Sequence, residues 1–172
     1  MKTLFITCTT PMIFLISSLA QANLDARFIE SAPKDRFVLS NTSQCDIQNI
    51  TANIDLSNST GKLIFDTTAT GAGVEVFQPF EASNSNMQLT NGNKVNDGAT
   101  GLSVKIATLK ANDSVHFTID VDDTLKRSEL GNIRVSGSEI ENATIEITAK
   151  DQTASKAAFD NRGKASLALA SC

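Results

Sequence analysis

Apolar and polar residues alternate with a period of two along most of the chain that follows residue 23. The clearest runs span residues 52–56, 102–106, 115–121 and 144–148. This alternation is typical of β-strands with one buried face and one exposed face. Shorter runs add candidate strands at residues 24–30, 36–41, 62–66, 74–77, 87–89, 132–136 and 164–172.

Gly, Asn, Asp and Pro are concentrated between these runs, where they favour turns. Short strands separated by such turns predict an all-β fold: a single β-sandwich of the immunoglobulin-like or jelly-roll type. Residues 150–163 depart from the pattern. We expect either a long polar loop or one short helix there, which Ala154, Ala157 and Ala158 suggest.

The N-terminus has the features of a secretory signal peptide. Lys2 precedes an apolar stretch from Leu4 to Leu19, and small residues follow at Ala20 and Ala22. The stretch is short and contains Pro11, whereas a membrane span needs about 20 apolar residues. We therefore predict a signal peptide at 1–22, a β-sandwich domain at 23–172, no membrane span, and export to the periplasm or the extracellular medium.

Two cysteines, Cys45 and Cys172, remain after the predicted cleavage, since Cys8 lies in the leader. An even number of cysteines in an oxidising compartment favours pairing. We predict a Cys45–Cys172 disulfide, for which the chain-entropy model gives at most about 5 kcal/mol because the closed loop is long. The alternatives are two separate thiols or a bond between chains.

Composition and charge narrow the classes of function. The chain has 19 acidic and 15 basic residues, a balance that argues against a nucleic-acid partner. It has neither Trp nor Tyr, which makes stacking platforms for sugars or bases less expected. The only histidine, His116, falls on the polar face of a predicted strand without an evident orienting partner, so we do not expect an enzyme.

An acidic run ends the predicted strand at residues 115–121. Asp120 and Asp122 share one face, with Cα atoms about 6.6 Å apart, and Asp123 enters the following loop. Carboxylates this close repel each other unless a cation offsets the charge, and calcium prefers such hard oxygen ligands. We therefore predict Asp120, Asp122 and Asp123 as calcium ligands. The alternatives are a solvated face, pairing with Lys126 and Arg127, or a hydrolase that uses paired carboxylates.

A second dense segment runs from Gly71 to Glu81. It places carboxylates among aromatic side chains, and Glu75, Phe80 and Glu81 are its candidate binding residues. The alternative is a core strand that ends at Pro79, with Phe77 or Phe80 covering the core.

Four segments resemble bacterial proteins of the aggregation factor core protein family, named after a calcium-dependent sponge adhesion proteoglycan. They are APKDRF (residues 32–37), GAGVEVFQPFE (71–81), FTIDVDDT (117–124) and VSGSEI (135–140). The resemblance spans most of the predicted mature chain and implies a secreted, calcium-linked β-sandwich with a role in adhesion. The chain lacks the many repeated domains of a sponge adhesin, so we do not expect it to bridge cells directly.

Three functional hypotheses follow. The first is an adhesion or extracellular binding module, assisted by calcium, whose partner is a cell-surface or matrix component or another protein. The second is a structural partner that adds a strand to another exported protein. The third is a hydrolase that uses its acidic residues.

Overall fold

A computed structural model describes residues 22–31, 34–74, 77–127 and 134–169. These residues form eleven strands and no helix, which confirms the all-β prediction. The strands are β1 (Ala22–Ile29), β2 (Asp35–Asn41), β3 (Ile47–Asp55), β4 (Ile64–Asp66), β5 (Glu81–Ala82), β6 (Met87–Leu89), β7 (Gly101–Leu109), β8 (Ser114–Asp122), β9 (Thr144–Thr148), β10 (Ser155–Ala158) and β11 (Lys164–Leu169). None of the described segments therefore offers a helix with the length and apolar character of a membrane span.

The strands form two antiparallel sheets, as the alternating pattern predicts. The first sheet has the order β11-β1-β2-β8-β4, and β5 also pairs with β8. The second sheet has the order β10-β9-β3-β7-β6. This arrangement is consistent with the predicted β-sandwich.

The core is formed by the apolar faces of both sheets. Phe37 on β2 stacks on Phe117 of β8 with ring centroids 5.1 Å apart, and Phe28 on β1 packs 5.1 Å from Phe37. The second sheet contributes Ile54 and Ile106, which are buried in the same cluster. Each such side chain contributes about 1.5–3 kcal/mol on full burial, so apolar burial is the main stabilising interaction.

Strand β4 connects the two sheets at one corner. Its residues pair with the end of β8, with Asp66 opposite Asp120. Phe65 of the same strand also forms a bridge with Ala99, two residues before β7 of the second sheet begins. The end of β8 is therefore enclosed, whereas the start of β8 keeps one exposed face.

The described strands differ from the sequence prediction chiefly in four places, one of which is the two-residue strand β5, which the alternating pattern does not predict. Val74 and Phe77 are not in a strand, although 74–77 was predicted as one. The described part of 132–136 is also irregular. In contrast, the polar region 150–163 contains β10, which pairs with β9. A periodic pattern does not distinguish a strand from a loop whose N–H groups bond to side chains. Val74 is such a case, since its N–H group donates to the Asp122 carboxylate.

Cys45 follows β2 and is disulfide-bonded. Its predicted partner Cys172 and the predicted signal peptide lie outside the described residues, except for Ala22, the first residue of β1. The Cys45–Cys172 pairing and the leader therefore stay predictions.

Candidate metal centre

Three aspartates from β4 and β8 converge where β8 ends. Asp120 and Asp122 are two residues apart and share one face of β8, and Asp66 lies directly opposite Asp120. One ligand atom from each carboxyl group can be chosen so that all three lie within 4.8 Å of one another. The geometry of a single strand pair thus places three carboxylates around one point.

These carboxylates are buried, unlike most polar residues on the outer face of a sheet. The exposed fractions of Asp66, Asp120 and Asp122 are 0%, 4% and 1%. The loop after β4 covers them, and Val74 N–H in that loop donates a hydrogen bond of 2.8 Å to Asp122 Oδ2. Their burial excludes the solvated face that the sequence left open.

Gly73 allows the loop backbone to lie directly against the three-carboxylate group. A Cβ atom at position 73 would collide with the Asp66 carboxyl group and with Asp122 Oδ2. A residue without a side chain is therefore required for this close approach.

Asp97 holds the loop from the other side. Its Oδ1 accepts hydrogen bonds from Thr67 N–H (2.9 Å) and Thr68 N–H (3.2 Å), and its Oδ2 accepts one from Ala72 N–H (2.7 Å). The Thr67 and Ala72 N–H groups lower the pKa of Asp97, so this carboxyl group stays ionised beside Asp66. Asp97 positions the loop and adds negative charge next to the group.

Two oxygens of the three-carboxylate group have no hydrogen-bond partner. Asp66 Oδ2 and Asp122 Oδ1 are both buried and unpartnered. The ion pairs of the described residues join Lys34 to Glu81, Arg134 to Glu30 and Arg162 to Asp160, and none reaches this group. A buried, unpartnered carboxylate oxygen is costly, so its presence points to a shared proton or to a ligand that supplies positive charge.

The raised pKa values of Asp66, Asp120 and Asp122 reflect the same lack of nearby positive charge. Burial raises the pKa of Asp120 to about 7, and the charges of Asp122 and Asp66 add to the rise. Burial and the neighbouring Asp97 carboxyl group raise the pKa of Asp66 to about 7. Burial also raises the pKa of Asp122, although the Val74 N–H opposes the shift. Near pH 7 the group therefore holds protons unless a metal ion displaces them.

Asp35, the first residue of β2, is a further buried carboxyl group close to the site. Burial raises its pKa to about 8, and the charges of Asp120 and Asp122 contribute. Its oxygens accept hydrogen bonds from Ser31 N–H and Val121 N–H, both 3.0 Å long. With both oxygens partnered, Asp35 has less need of a cation than Asp66 and Asp122.

The structure brings together two of the three predicted calcium ligands. Asp123 is buried after the end of β8 and accepts a hydrogen bond of 3.0 Å from Leu125 N–H, but it is not among the three converging residues. Asp123 lies after the end of β8, so the pairing with β4 that brings Asp66 to Asp120 and Asp122 does not extend to it. Asp66 takes the third place.

Two of the residues predicted for a binding edge, Phe80 and Glu81, lie in different environments. Phe80 is half-buried and packs 5.1 Å from Phe117, in line with the alternative that it covers the core. Glu81 is exposed and pairs with Lys34, which lowers the pKa of the Glu81 carboxyl group. Glu75 lies outside the described residues.

Sequence reasoning did not identify Asp66, Asp97 or Gly73. Asp66 ends a predicted strand and Asp97 occupies a predicted turn, so each alone is an ordinary polar residue. Only the pairing of β4 with β8 brings Asp66 to the acidic run. No protein-family model matches the chain, and the search of curated proteins found no match either.

Proposed function

We propose that this chain is an exported, non-enzymatic β-sandwich that binds calcium at the corner of β4 and β8 and acts as an adhesion or extracellular binding module. The observation that carries the proposal is the pair of unpartnered, buried oxygens on Asp66 and Asp122, in a group without a basic partner among the described residues.

Calcium fits the donor set for two reasons. Calcium binds 6 to 8 hard oxygen ligands at about 2.3–2.6 Å, so oxygens on one ion lie up to about 5 Å apart. The ligand atoms of Asp66, Asp120 and Asp122 lie within 4.8 Å of one another. Their three carboxyl groups offer six oxygens, and backbone carbonyl groups or water complete the shell.

The hydrolase hypothesis has less support from the same geometry. Glycoside hydrolysis needs two carboxyl groups on either side of a bound sugar, about 5–9.5 Å apart. Asp66, Asp120 and Asp122 are closer together than most of that range and are covered by the loop that contains Gly73. A substrate bond has no access between them.

Export and the disulfide support each other. Cys45 is disulfide-bonded, which is typical of proteins outside the cytoplasm. Leu24 of β1 lies between Asn41 of β2 and Leu167 of β11, so the sheet brings the end of β11 near the segment that leads to Cys45. This register is compatible with the proposed Cys45–Cys172 bond.

The resemblance to aggregation factor core proteins favours adhesion over strand addition. A protein that adds a strand needs a long, regular edge. The edge strands of the second sheet are short: β6 has 3 residues and β10 has 4. Strand β11 at the edge of the first sheet has 6 residues and begins with Lys164, a residue that discourages edge pairing.

Thermal denaturation of the mature chain in calcium and in chelator tests the proposal. If calcium binds only the folded protein, a concentration of 100 times its dissociation constant raises the free energy of unfolding by about 2.7 kcal/mol. Magnesium serves as the control, since it requires a tighter octahedral site and releases water reluctantly. An identical melting temperature in calcium and in chelator would contradict a calcium site.

A further inference from the structure

A cleft of about 360 Å³ lies beside the three-carboxylate group. Three chain segments form its walls: residues 67–68, 79–80 and 93–97. This volume is in the range of small-molecule sites in proteins. A cleft of about 390 Å³ on the second sheet, lined by residues of β3 and β7, lies away from the carboxylates.

Each wall of the cleft is attached to a different aspartate of the site. Residues 67–68 directly follow Asp66, and residues 93–97 end in Asp97, which binds the N–H groups of both threonines. Residues 79–80 directly follow Gln78, whose carbonyl group accepts a hydrogen bond of 3.1 Å from Asp120 N–H. The walls are thus joined to the site through the backbone of Asp66 and Asp120 and through the Asp97 carboxylate.

The walls combine one aromatic surface with polar groups, and Lys94 and Asp97 add one charge of each sign. Phe80 packs against Phe117 and also lines the cleft. Thr68, Asn93 and Asn96 are exposed and add hydroxyl and amide groups. A flat apolar surface beside hydroxyl and amide groups is complementary to a sugar ring, which has apolar C–H faces and hydroxyl edges.

We propose that this cleft binds a saccharide, and that it has its binding shape only when calcium fills the adjacent three-carboxylate group. The ligand inference rests on the calcium-dependent function proposed above and identifies its partner. Bound calcium would neutralise the repulsion among Asp66, Asp120 and Asp122, and would thereby hold the backbone next to these residues in place. Because the aromatic surface is a single phenyl ring, without Trp or Tyr, each site is expected to be weak and to depend on multivalent display.

A glycan array tests this inference with the full mature chain. The probe is a printed set of neutral and uronic-acid-containing oligosaccharides, applied with calcium or with chelator. Calorimetric titration of calcium into the same protein measures occupancy of the metal site separately. We expect at least one saccharide to be bound in calcium, with binding at least about tenfold weaker in chelator.

Two variants locate the binding. The double substitution Asn93→Ala/Asn96→Ala removes amide groups for which the structure gives no side-chain hydrogen bond, and it leaves the carboxylates unchanged. We expect it to keep calcium affinity and to lose about tenfold or more in saccharide binding. The matched control is Asn58→Ala, an exposed asparagine in the turn after β3, which should leave both unchanged.

The outcomes separate the two proposals. If the protein binds calcium in the calorimeter but no saccharide on the array, the saccharide proposal is wrong and the metal site stands. The same holds if saccharide binding survives the double substitution. Saccharide binding that is lost in the double variant but equal in calcium and chelator overturns the coupling. A protein that takes up no calcium overturns the proposed function itself.

Discussion

The two halves of β8 have the same alternating sequence pattern but different environments. In the first half, Val115 and Phe117 face the core, while His116 and Thr118 remain partly exposed on the other face. In the second half, Val121 faces the core and both Asp120 and Asp122 are also buried. Period-two alternation therefore identifies the face of the sheet on which a side chain lies. Whether that face is buried depends on segments that are distant in the sequence.

The largest expected effect comes from the apolar half. Phe117 is fully buried and contacts the rings of Phe37 and Phe80. Phe117→Ala should lower the free energy of unfolding by about 3–5 kcal/mol, because it removes apolar contacts and leaves a cavity. Urea denaturation measures the loss, which should be equal in calcium and in chelator. A loss confined to calcium would mean that the two halves are not energetically distinct.

A substitution in the acidic half of β8 should change the free energy of unfolding in opposite directions in calcium and in chelator. Asp122→Asn should abolish the gain of about 2.7 kcal/mol that calcium gives the wild type at 100 times its dissociation constant. In chelator the same variant should be more stable than the wild type, because one buried, repelling carboxylate is removed. The control is Asp25→Asn, an exposed aspartate on β1, which should change neither value. A variant that is destabilised equally in both conditions would assign Asp122 a purely structural role.

The pH dependence of the stability of the metal-free protein also distinguishes the two halves of β8. In the folded protein the pKa of Asp35 is raised to about 8 and that of Asp66 and Asp120 to about 7, from a starting value of 3.8. The folded state therefore holds protons more tightly than the unfolded state. The contribution of these three carboxyl groups to the free energy of unfolding is fully present below about pH 4. It is lost as the pH rises through about 7 to 8.

The melting temperature in chelator should accordingly fall between pH 5 and pH 8. Saturating calcium should reduce this slope, because the metal ion replaces the protons on Asp66, Asp120 and Asp122. Differential scanning calorimetry at several pH values measures both curves. A metal-free melting temperature that rises over this range would contradict the burial of unpaired carboxylates.

Much of the fold could be predicted from the sequence, since strands such as β2, β9 and β11 bury alternate residues over their length. Val74, at the start of the predicted strand 74–77, is not in a strand, since its N–H group donates to Asp122. The alternating pattern does not predict β10, because its residues are polar or small and either half-buried or exposed. Of the site, Asp120 and Asp122 could be predicted because they are local in sequence. Asp66, Asp97 and Gly73 could not, because their proximity depends on pairing between β4 and β8.

The smallest effect is expected outside both halves. Glu81 pairs with Lys34 at the surface, where the solvent screens the charges. Glu81→Gln should leave the melting temperature and the calcium response unchanged, as thermal denaturation can verify. A marked loss of calcium response would extend the site to β5 and would weaken the distinction between buried and exposed carboxylates.

We propose that the buried end of β8 holds calcium. Anomalous X-ray diffraction from crystals of the predicted mature chain, grown in calcium, tests this directly. We expect an anomalous peak within about 2.3–2.6 Å of oxygens from Asp66, Asp120 and Asp122. Diffraction data with no peak there, and with the three carboxyl groups sharing protons instead, would contradict it.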